Sequence, residues 1–227
     1  MITDVIIPAY NEESSIAHVL REIPRELIRE IVVVNNASTD STRVTAEKEG
    51  AIVIDEPVRG YGAACLAGIL HVKQNKAVPD IIIFLDADHS DFPENIRPML
   101  GKLTENNADL IIGNRVKELR EKGSMTFPQR FGNALATRMI KWFHGYRYKD
   151  LGPFRAIRFQ KLLELDMRDT NYGWTVEMQI KALKKGLKVE QINVPYRNRI
   201  GKSKISGTLG GSIKAGYKII RTILKYR

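Results

Sequence analysis

Five short apolar runs alternate with stretches of helical periodicity in the first half of the chain, and this alternation constrains the fold most. The runs lie at residues 4–8, 30–34, 51–54, 80–85 and 108–112. A strand that is apolar at every position is buried on both faces, which is typical of a parallel sheet covered by helices. Helical patterns at 12–22 and 61–73 separate some of the runs. The sequence therefore predicts an α/β fold with a mostly parallel central sheet and helices on both faces.

Polar segments follow the predicted strands at their carboxyl ends, where open α/β sheets bind ligands. These segments are 9–12, 35–40, 56–62, 86–91 and 113–115. Asp86 and Asp88 directly follow the most apolar run. Two carboxylates at i and i+2 in such a turn can bind Mg²⁺ or Mn²⁺, since these ions prefer oxygen ligands. An acidic turn can equally well only cap a helix, so the pair alone leaves both interpretations open.

The second half of the chain is less regular. Residues 116–130 are polar and contain Gly and Pro, which predicts a mobile loop, and residues 117–125 of it are expected to order over a bound ligand. Further elements are predicted as helices at 131–143 and 175–183, a turn with a short strand at 150–158, and a strand at 188–196.

The net charge of +10 is concentrated at the C-terminus. No acidic residue follows Glu190, whereas nine Lys and Arg residues do, and residues 1–190 are nearly neutral. Residues 211–226 carry apolar side chains on one helical face and basic ones around it, which predicts a basic amphipathic helix. Such a helix packs on the body with a solvated face, or it binds an anionic partner: phosphate groups, a lipid surface or nucleic acid.

The cysteine content and the hydropathy of the chain indicate in which cellular compartment it works. The single cysteine, Cys65, excludes a disulfide framework and a cysteine-built metal site. No run approaches the roughly 20 apolar residues of a membrane-spanning helix. We therefore expect a cytoplasmic protein that associates at most peripherally with the cytoplasmic face of a membrane.

The order and spacing of four motifs resemble the family 2 glycosyltransferases, which have a Rossmann-like GT-A fold. The motifs are Pro8-Ala9-Tyr10-Asn11-Glu12, 35–42, Arg59-Gly60-Tyr61-Gly62 and Asp86-Ala87-Asp88. In the second half, Gly113-Asn114-Arg115 and the segments 150–158, 174–179 and 201–204 resemble the polyprenyl-phosphate sugar transferases, such as dolichyl-phosphate mannose or glucose synthases. The resemblance implies a GT-A domain over 1–210, with a nucleotide-sugar-binding half (1–115) and an acceptor-binding half (116–210), followed by the basic helix 211–227.

The resemblance implies a nucleotide-sugar site in the first half. Pro8 and Tyr10 would pack against the base, and Glu12 would hold polar groups of the base or ribose. The other residues assigned to the donor are Asn36, Arg59, Gly60, Asp86, Ala87, Asp88 and Trp174. Asp86 and Asp88 would hold Mg²⁺ or Mn²⁺ on the diphosphate, and Trp174 either stacks on the sugar or is a core residue. Many relatives have Asp-Asp-Gly-Ser where this chain has Asn35-Asn36-Ala37-Ser38, which leaves the choice between UDP and GDP open.

The same resemblance implies inverting transfer of a hexose, with Asp88, Glu177 and Arg115 as the catalytic residues. Arg115 and Arg130 would bind an acceptor phosphate, and Arg199, Lys202 and Lys204 would close over the phosphate groups. Glu177 would bind sugar hydroxyls or act as a base, or it would pair structurally with Arg155 or Arg158. An ionised phosphate acceptor needs no general base, whereas an alcohol does. The many cations and the single Glu in this region favour polyprenyl phosphate.

Three alternatives stay open at this point. The first keeps the donor and changes the acceptor to a soluble or lipid hydroxyl. The second is a sugar-phosphate nucleotidyltransferase, although Pro-Ala-Tyr-Asn-Glu stands after the first strand where those enzymes usually have a Gly-rich loop and a Lys. The third is a nucleic-acid-binding protein, which the basic pI suggests, but the positive charge sits in one tail without interleaved aromatic residues.

Overall fold

The computed structural model describes residues 1–201 and 209–227, and strands and helices alternate along its first half. The strands are β1 (Thr3–Ala9), β2 (Glu30–Asn35), β3 (Ile52–Asp55), β4 (Ile81–Phe84), β5 (Leu110–Arg120), β6 (Arg155–Arg158) and β7 (Val189–Tyr196). The helices are α1 (Ile16–Glu22), α2 (Thr42–Lys48), α3 (Tyr61–Lys73), α4 (Ile96–Glu105), α5 (Phe127–His144), α6 (Phe159–Glu164), α7 (Trp174–Lys184) and α8 (Leu209–Lys225). Short 3₁₀ turns lie at Arg25–Leu27 and Pro93–Asn95.

The strands form one sheet in the order β3-β2-β1-β4-β6-β5-β7. Strands β3, β2, β1 and β4 are mutually parallel, and β5 is parallel to β7. Strand β6 is antiparallel to both of its neighbours, β4 and β5. The predicted mostly parallel α/β fold is therefore confirmed. The parallel registers bring the carboxyl ends of β1, β2 and β4 to the same edge of the sheet.

The continuous apolar runs are explained by cores on both faces of the sheet. In β4, Ile82 and Phe84 pack into one core, with α3, α5 and α7, whereas Ile81 and Ile83 pack into the other, with α1 and α4. Strand β1 divides in the same way, with Ile6 on one face and its neighbours on the opposite face. Because successive strand residues point to opposite faces, every position of such a strand must be apolar.

The prediction of a mobile loop over 116–130 is wrong. Strand β5 continues to Arg120 because its outer part pairs with β7, where Arg120 lies opposite Tyr196 across an irregular register. Helix α5 begins at Phe127, four residues earlier than predicted, because Thr126 and Gln129 form a capping box and Pro128 lies in the first turn. Within the segment 117–125, which was expected to order over a ligand, residues 117–120 are strand and 121–125 belong to the connection before α5. Only the short connection at 121–126 lies outside both elements.

Helix α8 packs against α5 and α7. Thr222 and Ile223 are buried in this contact, while Tyr217 and Leu224 are exposed. The predicted amphipathic C-terminal helix therefore exists and begins two residues earlier than the predicted segment. In the part of the chain that the structure describes, no helix has the length and apolar character to cross a membrane.

Candidate active site

A cavity of about 330 Å³ opens at the carboxyl ends of β1, β2 and β4. This is the size of a small-molecule site, and open α/β sheets bind ligands at this edge. Its lining residues are Pro8, Ala9, Tyr10, Glu12, Asn36, Arg59, Gly60, Tyr61, Asp86, Ala87, Asp88, Asn171, Tyr172 and Arg199. The structure thus gathers around one space all the donor residues assigned from the sequence except Trp174. It also adds Arg199, which was assigned to the phosphate groups.

One wall of the cavity carries an aromatic ring and a guanidinium group in contact. The Arg59 guanidinium lies over the Tyr10 ring, 4.5 Å from its centroid. Both groups have flat, polarisable faces, and a planar heterocycle can stack on either. Glu12 lies nearby, nearly buried, and its carboxylate accepts a hydrogen bond from the Ser15 hydroxyl at 2.7 Å.

Asn36 holds the loop that carries Arg59. Its Nδ2 donates to the carbonyls of Glu56 and Val58 at 3.0 and 2.8 Å. Its Oδ1 accepts from the Gly60 amide at 2.8 Å. The sequence assigned Asn36 to the donor site, but both hydrogens of its amide already donate to the loop. The first task of Asn36 is therefore to position this wall of the cavity.

A loop between α6 and α7 forms another part of the cavity wall, next to Gly60, and sequence reasoning missed it. Asn171 and Tyr172 line the cavity, and the Thr170 carbonyl accepts a hydrogen bond from the Ala63 amide at 2.9 Å. The approach depends on glycine, because a Cβ on Gly60 would meet the Thr170 oxygen at 2.1 Å. The loop has no apolar period or acidic motif, so only the Arg59-Gly60-Tyr61-Gly62 pattern hinted at a close approach here.

Glu177 lies behind this loop rather than in the cavity. Its fully buried carboxylate accepts from the amides of Asp169 at 2.7 Å and Arg168 at 3.1 Å and from the Tyr226 hydroxyl at 2.7 Å. It also pairs with Lys181 at 2.7 Å. Burial opposes ionisation, but these partners together lower the pKa of Glu177 below the ordinary value of 4.5.

The expected roles of Glu177 as a base or a sugar ligand are therefore corrected, because its carboxylate is enclosed and saturated by the loop and α8. The expected ion pair of Glu177 with Arg155 or Arg158 is also wrong. Arg155 donates instead to backbone carbonyls such as that of Thr175, and Arg158 donates to the Ala108 carbonyl.

Trp174 is a core residue. Its side chain is 1% exposed and meets Phe84 edge to face, with ring centroids 5.9 Å apart. The alternative in which this indole stacks on a sugar is thereby excluded for the described conformation. Trp174 thus belongs to the core that includes α3, α5 and α7.

The acid pair lies at the floor of the cavity. Asp86 is fully enclosed at Oδ1, which has no hydrogen-bond partner within the described ranges 1–201 and 209–227. Burial raises the pKa of Asp86, and the charges of Arg199 and Arg115 counteract part of that rise. Asp88 accepts at Oδ1 from the Ser90 amide at 2.9 Å, and its Oδ2 forms an ion pair with Arg199.

These two carboxylates fit a hard divalent cation. Both supply oxygen, one oxygen of Asp86 is unpartnered, and both residues line the same cavity. No cluster of three or more His, Cys, Asp or Glu side chains suited to a metal exists within the described residues. A cation held here would therefore take its remaining ligands from a bound phosphate and from water, as Mg²⁺ commonly does.

A second cavity, of about 290 Å³, lies close enough to the first for the charge of Arg115 in its lining to act on Asp86. Five basic and two acidic residues line it: Arg115, Lys117, Arg120, Arg130, Lys149, Glu118 and Asp150. Arg115 is held by Asp150 through Nε to Oδ2 at 2.7 Å and Nη2 to Oδ1 at 2.9 Å. The structure thus brings the two arginines assigned to the acceptor into one cationic cavity. Lys202 and Lys204 lie outside the described residues.

Asp91 is a further buried acid close to both cavities. Neither oxygen of its carboxylate has a hydrogen-bond partner within the described part of the chain. Burial, with a smaller contribution from the charge of Asp86, raises the pKa of Asp91 to about 7. Asp91 does not cap the turn that follows, since Phe92 stands at the cap position and no side chain caps that turn.

Comparison with known proteins places these features in a family. The sequence model described as "Glycosyl transferase family 2" matches residues 4–166. An uncharacterized glycosyltransferase of Mycobacterium tuberculosis is 35% identical over 214 residues, which cover 93% of each chain. A dolichyl-phosphate hexose transferase of Haloferax volcanii is 30% identical over 229 residues, covering 98% of this chain and 94% of the relative.

Among solved structures, glucosyl-3-phosphoglycerate synthase from Mycobacterium tuberculosis superposes with a TM-score of 0.78 at 22% identity. The match covers 99% of this chain and 79% of that one. That structure holds Mn²⁺, uridine-diphosphate-glucose and phosphoglyceric acid. At this identity the likeness concerns the fold alone.

Proposed function

Because the chain belongs to glycosyl transferase family 2, we propose that it transfers a hexose from a nucleoside-diphosphate sugar to a polyprenyl phosphate, with inversion at the anomeric carbon. The observation that carries the proposal is the pairing of the two cavities. One combines the Tyr10–Arg59 wall with the Asp86–Asp88 floor, and the other is cationic. A stacked base and a diphosphate suit the first, and an anionic acceptor suits the second.

In the donor cavity, the base would stack on the wall formed by Tyr10 and Arg59, and the diphosphate would lie toward the acid pair. A divalent cation, Mg²⁺ or Mn²⁺, held by Asp86 and Asp88 would neutralise the charge that develops on the leaving diphosphate. Arg199 already contacts Asp88 and would remain beside that diphosphate as the chain's own cation. A UDP-sugar is the first donor to test, since the solved neighbour was crystallised with UDP-glucose.

In the acceptor cavity, Arg115 and Arg130 would hold the phosphate with one oxygen facing the anomeric carbon. Asp150 fixes the Arg115 guanidinium in a bidentate contact, so its orientation is set before the acceptor arrives. The burial of Glu177 removes the carboxylate that was the candidate base. This favours a phosphate acceptor, which is already ionised, over a hydroxyl. The name of the Haloferax relative, a dolichyl-phosphate hexose transferase, supports the same choice.

A lipid-linked acceptor requires approach to a bilayer, and α5 offers a surface for it. Phe127, Phe131 and Trp142 are 70, 61 and 81% exposed and lie on one face of the helix, together with Leu135. Neither α5 nor the adjacent α8 contains an acidic residue, and both carry several Lys and Arg. Exposed aromatic residues beside basic ones are typical of helices that lie on anionic lipid. We propose peripheral attachment of this face to an anionic membrane.

Activity against paired acceptors tests the proposal. The full chain receives labelled UDP-glucose or GDP-mannose with Mn²⁺, and either polyprenyl phosphate or the matching polyprenol in detergent. The expected product forms with the phosphate only, is cleaved by mild acid, and has the opposite anomeric configuration to the donor. Equal transfer to the polyprenol would instead favour a hydroxyl acceptor.

A matched pair of arginine variants tests the acceptor cavity. Arg130→Gln should raise the acceptor KM at least tenfold, since a charge-assisted hydrogen bond contributes about 1.5–3 kcal/mol. Arg97→Gln, an exposed change on α4, should leave it within twofold. An unchanged acceptor KM in Arg130→Gln would contradict the assignment of this cavity.

A further inference from the structure

The loop that forms one wall of the first cavity is bound from behind by the C-terminal helix. This loop, residues 168–173, carries Asn171 and Tyr172 in the cavity wall. Lys218 Nζ lies 2.9 Å from Asp169 Oδ2, and Asp169 Oδ1 in turn accepts from the Asn171 amide at 2.8 Å. Lys218 is therefore linked through Asp169 to the backbone of Asn171, which lines the cavity.

Two more contacts join the C-terminal segment to the same loop. Tyr226 donates its hydroxyl to Glu177, whose carboxylate holds the Arg168 and Asp169 amides. Thr222 lies between them, 4% exposed, with its hydroxyl so close to Gly173 that a Cβ there would meet it at 2.5 Å.

The contacting residues 218, 222 and 226 follow one another at i, i+4 and i+8. That spacing places them on one face of a helix. The polar contacts and the close packing therefore come from a single edge of α8, continued by Tyr226 directly after it, which runs along the loop and the start of α7.

We propose that α8 positions the donor site: Lys218, Thr222 and Tyr226 hold the 168–173 loop in the conformation that completes the donor cavity. The proposal rests on the proposed function for the identity of the donor, but the loop contacts themselves do not depend on it. These are positioning residues, since they act through Asp169 and Glu177 and none of them lines the cavity. Lys214 and Tyr217 lie one turn earlier in α8, are exposed, and have no such contact with the loop among the residues described.

The test compares two double variants on the same helix. Lys218→Gln/Tyr226→Phe removes both polar contacts with little change in size. Lys214→Gln/Tyr217→Phe makes the same chemical changes at two exposed positions one turn earlier, which do not contact the loop in the described part of the chain. The first readout is hydrogen exchange at the amides of residues 168–173, which requires no ligand. The contact variant should exchange at least tenfold faster there than wild type, and the control should match wild type.

The second readout separates positioning from a general structural role. With Mn²⁺, the contact variant should bind UDP at least fivefold more weakly, raise the donor KM similarly and leave the acceptor KM unchanged. Equal exchange and equal donor affinity in the two variants would overturn the proposal. If wild type binds no nucleoside diphosphate at all, the proposed function fails, and hydrogen exchange still decides whether α8 holds the loop. Tyr226→Phe alone gives the same comparison if the double variant folds poorly.

Discussion

Replacing the buried Glu177 by Gln gives a direct measure of how strongly the donor-side loop is held. The carboxylate is fully buried and serves two backbone amides, a tyrosine hydroxyl and Lys181. Glutamine keeps the shape but loses the charge and turns one acceptor oxygen into a donor that faces those groups. Breaking one side of a buried pair costs about 3–5 kcal/mol. Since whole domains are stable by only about 5–15 kcal/mol, the change should be large in any unfolding experiment.

Urea unfolding across a pH series measures the effect. The pKa of Glu177 in the folded protein lies below its ordinary 4.5. The stability that its ionised form contributes is therefore complete above about pH 4.5 and is lost as the pH falls through the lowered value. The difference between wild type and Glu177→Gln should be about 3–5 kcal/mol at pH 7 and should shrink in acid.

A matched control is Glu164→Gln. Glu164 pairs with Lys161 at the surface, where its side chain is 48% exposed, so its replacement should change stability by less than about 1 kcal/mol. The reasoning fails if Glu177→Gln costs no more than Glu164→Gln, or if its cost is the same at pH 7 and at pH 3.5.

Three other predictions concern single features of the molecule. Asn36→Ala should lower the unfolding free energy by about 3 kcal/mol and weaken donor binding, since three hydrogen bonds of about 1 kcal/mol each are lost. Urea unfolding measures the stability and titration calorimetry the donor affinity. An unchanged unfolding free energy would contradict the prediction. Vesicles containing phosphatidylglycerol should shift the emission of exposed Trp142 to the blue, whereas buried Trp174 gives a constant background. The shift should vanish in Trp142→Phe and in 0.5 M salt. A shift that persists in Trp142→Phe would refute the proposal that α5 binds the membrane. The raised pKa of Asp91, about 7, means that wild type loses stability as the pH rises from about 4 to 7; Asp91→Asn should remove that part of the pH profile, and an unaltered profile would disprove the assignment.

The sequence predicted the sheet well because its signal is local. Strands such as β4 are apolar at every position, and a polar motif directly follows β1. Both the helices on each face of the sheet and the ligand-binding edge therefore follow from residues adjacent in the chain. The residues around the acid pair were predicted for the same reason, since they stand directly after the strands that carry them. The division of the chain at residue 210 and the assignment of its halves to donor and acceptor remain predictions.

The errors concern residues whose environment is set by distant parts of the chain. Glu177 resembles an active-site acid in sequence, but it is buried by Tyr226 from the C-terminal helix and by a loop that precedes it. The outer part of β5 is polar, and it is a strand because β7 pairs with it. The wall formed by Asn171 and Tyr172 lacks any periodicity. Partners of this kind are far apart in sequence, and only the fold brings them together.

Binding of UDP measured by titration calorimetry, with and without Mn²⁺, in wild type and in Asp88→Asn, tests the central claim most directly. If the Asp86–Asp88 floor holds a cation against the diphosphate, wild type should bind UDP tightly only with Mn²⁺. Asp88→Asn, which keeps its size and its contact with Ser90, should lose at least tenfold in affinity and most of the Mn²⁺ dependence. Equal UDP affinity in the two proteins, or affinity in wild type that is indifferent to Mn²⁺, would contradict the account of this cavity.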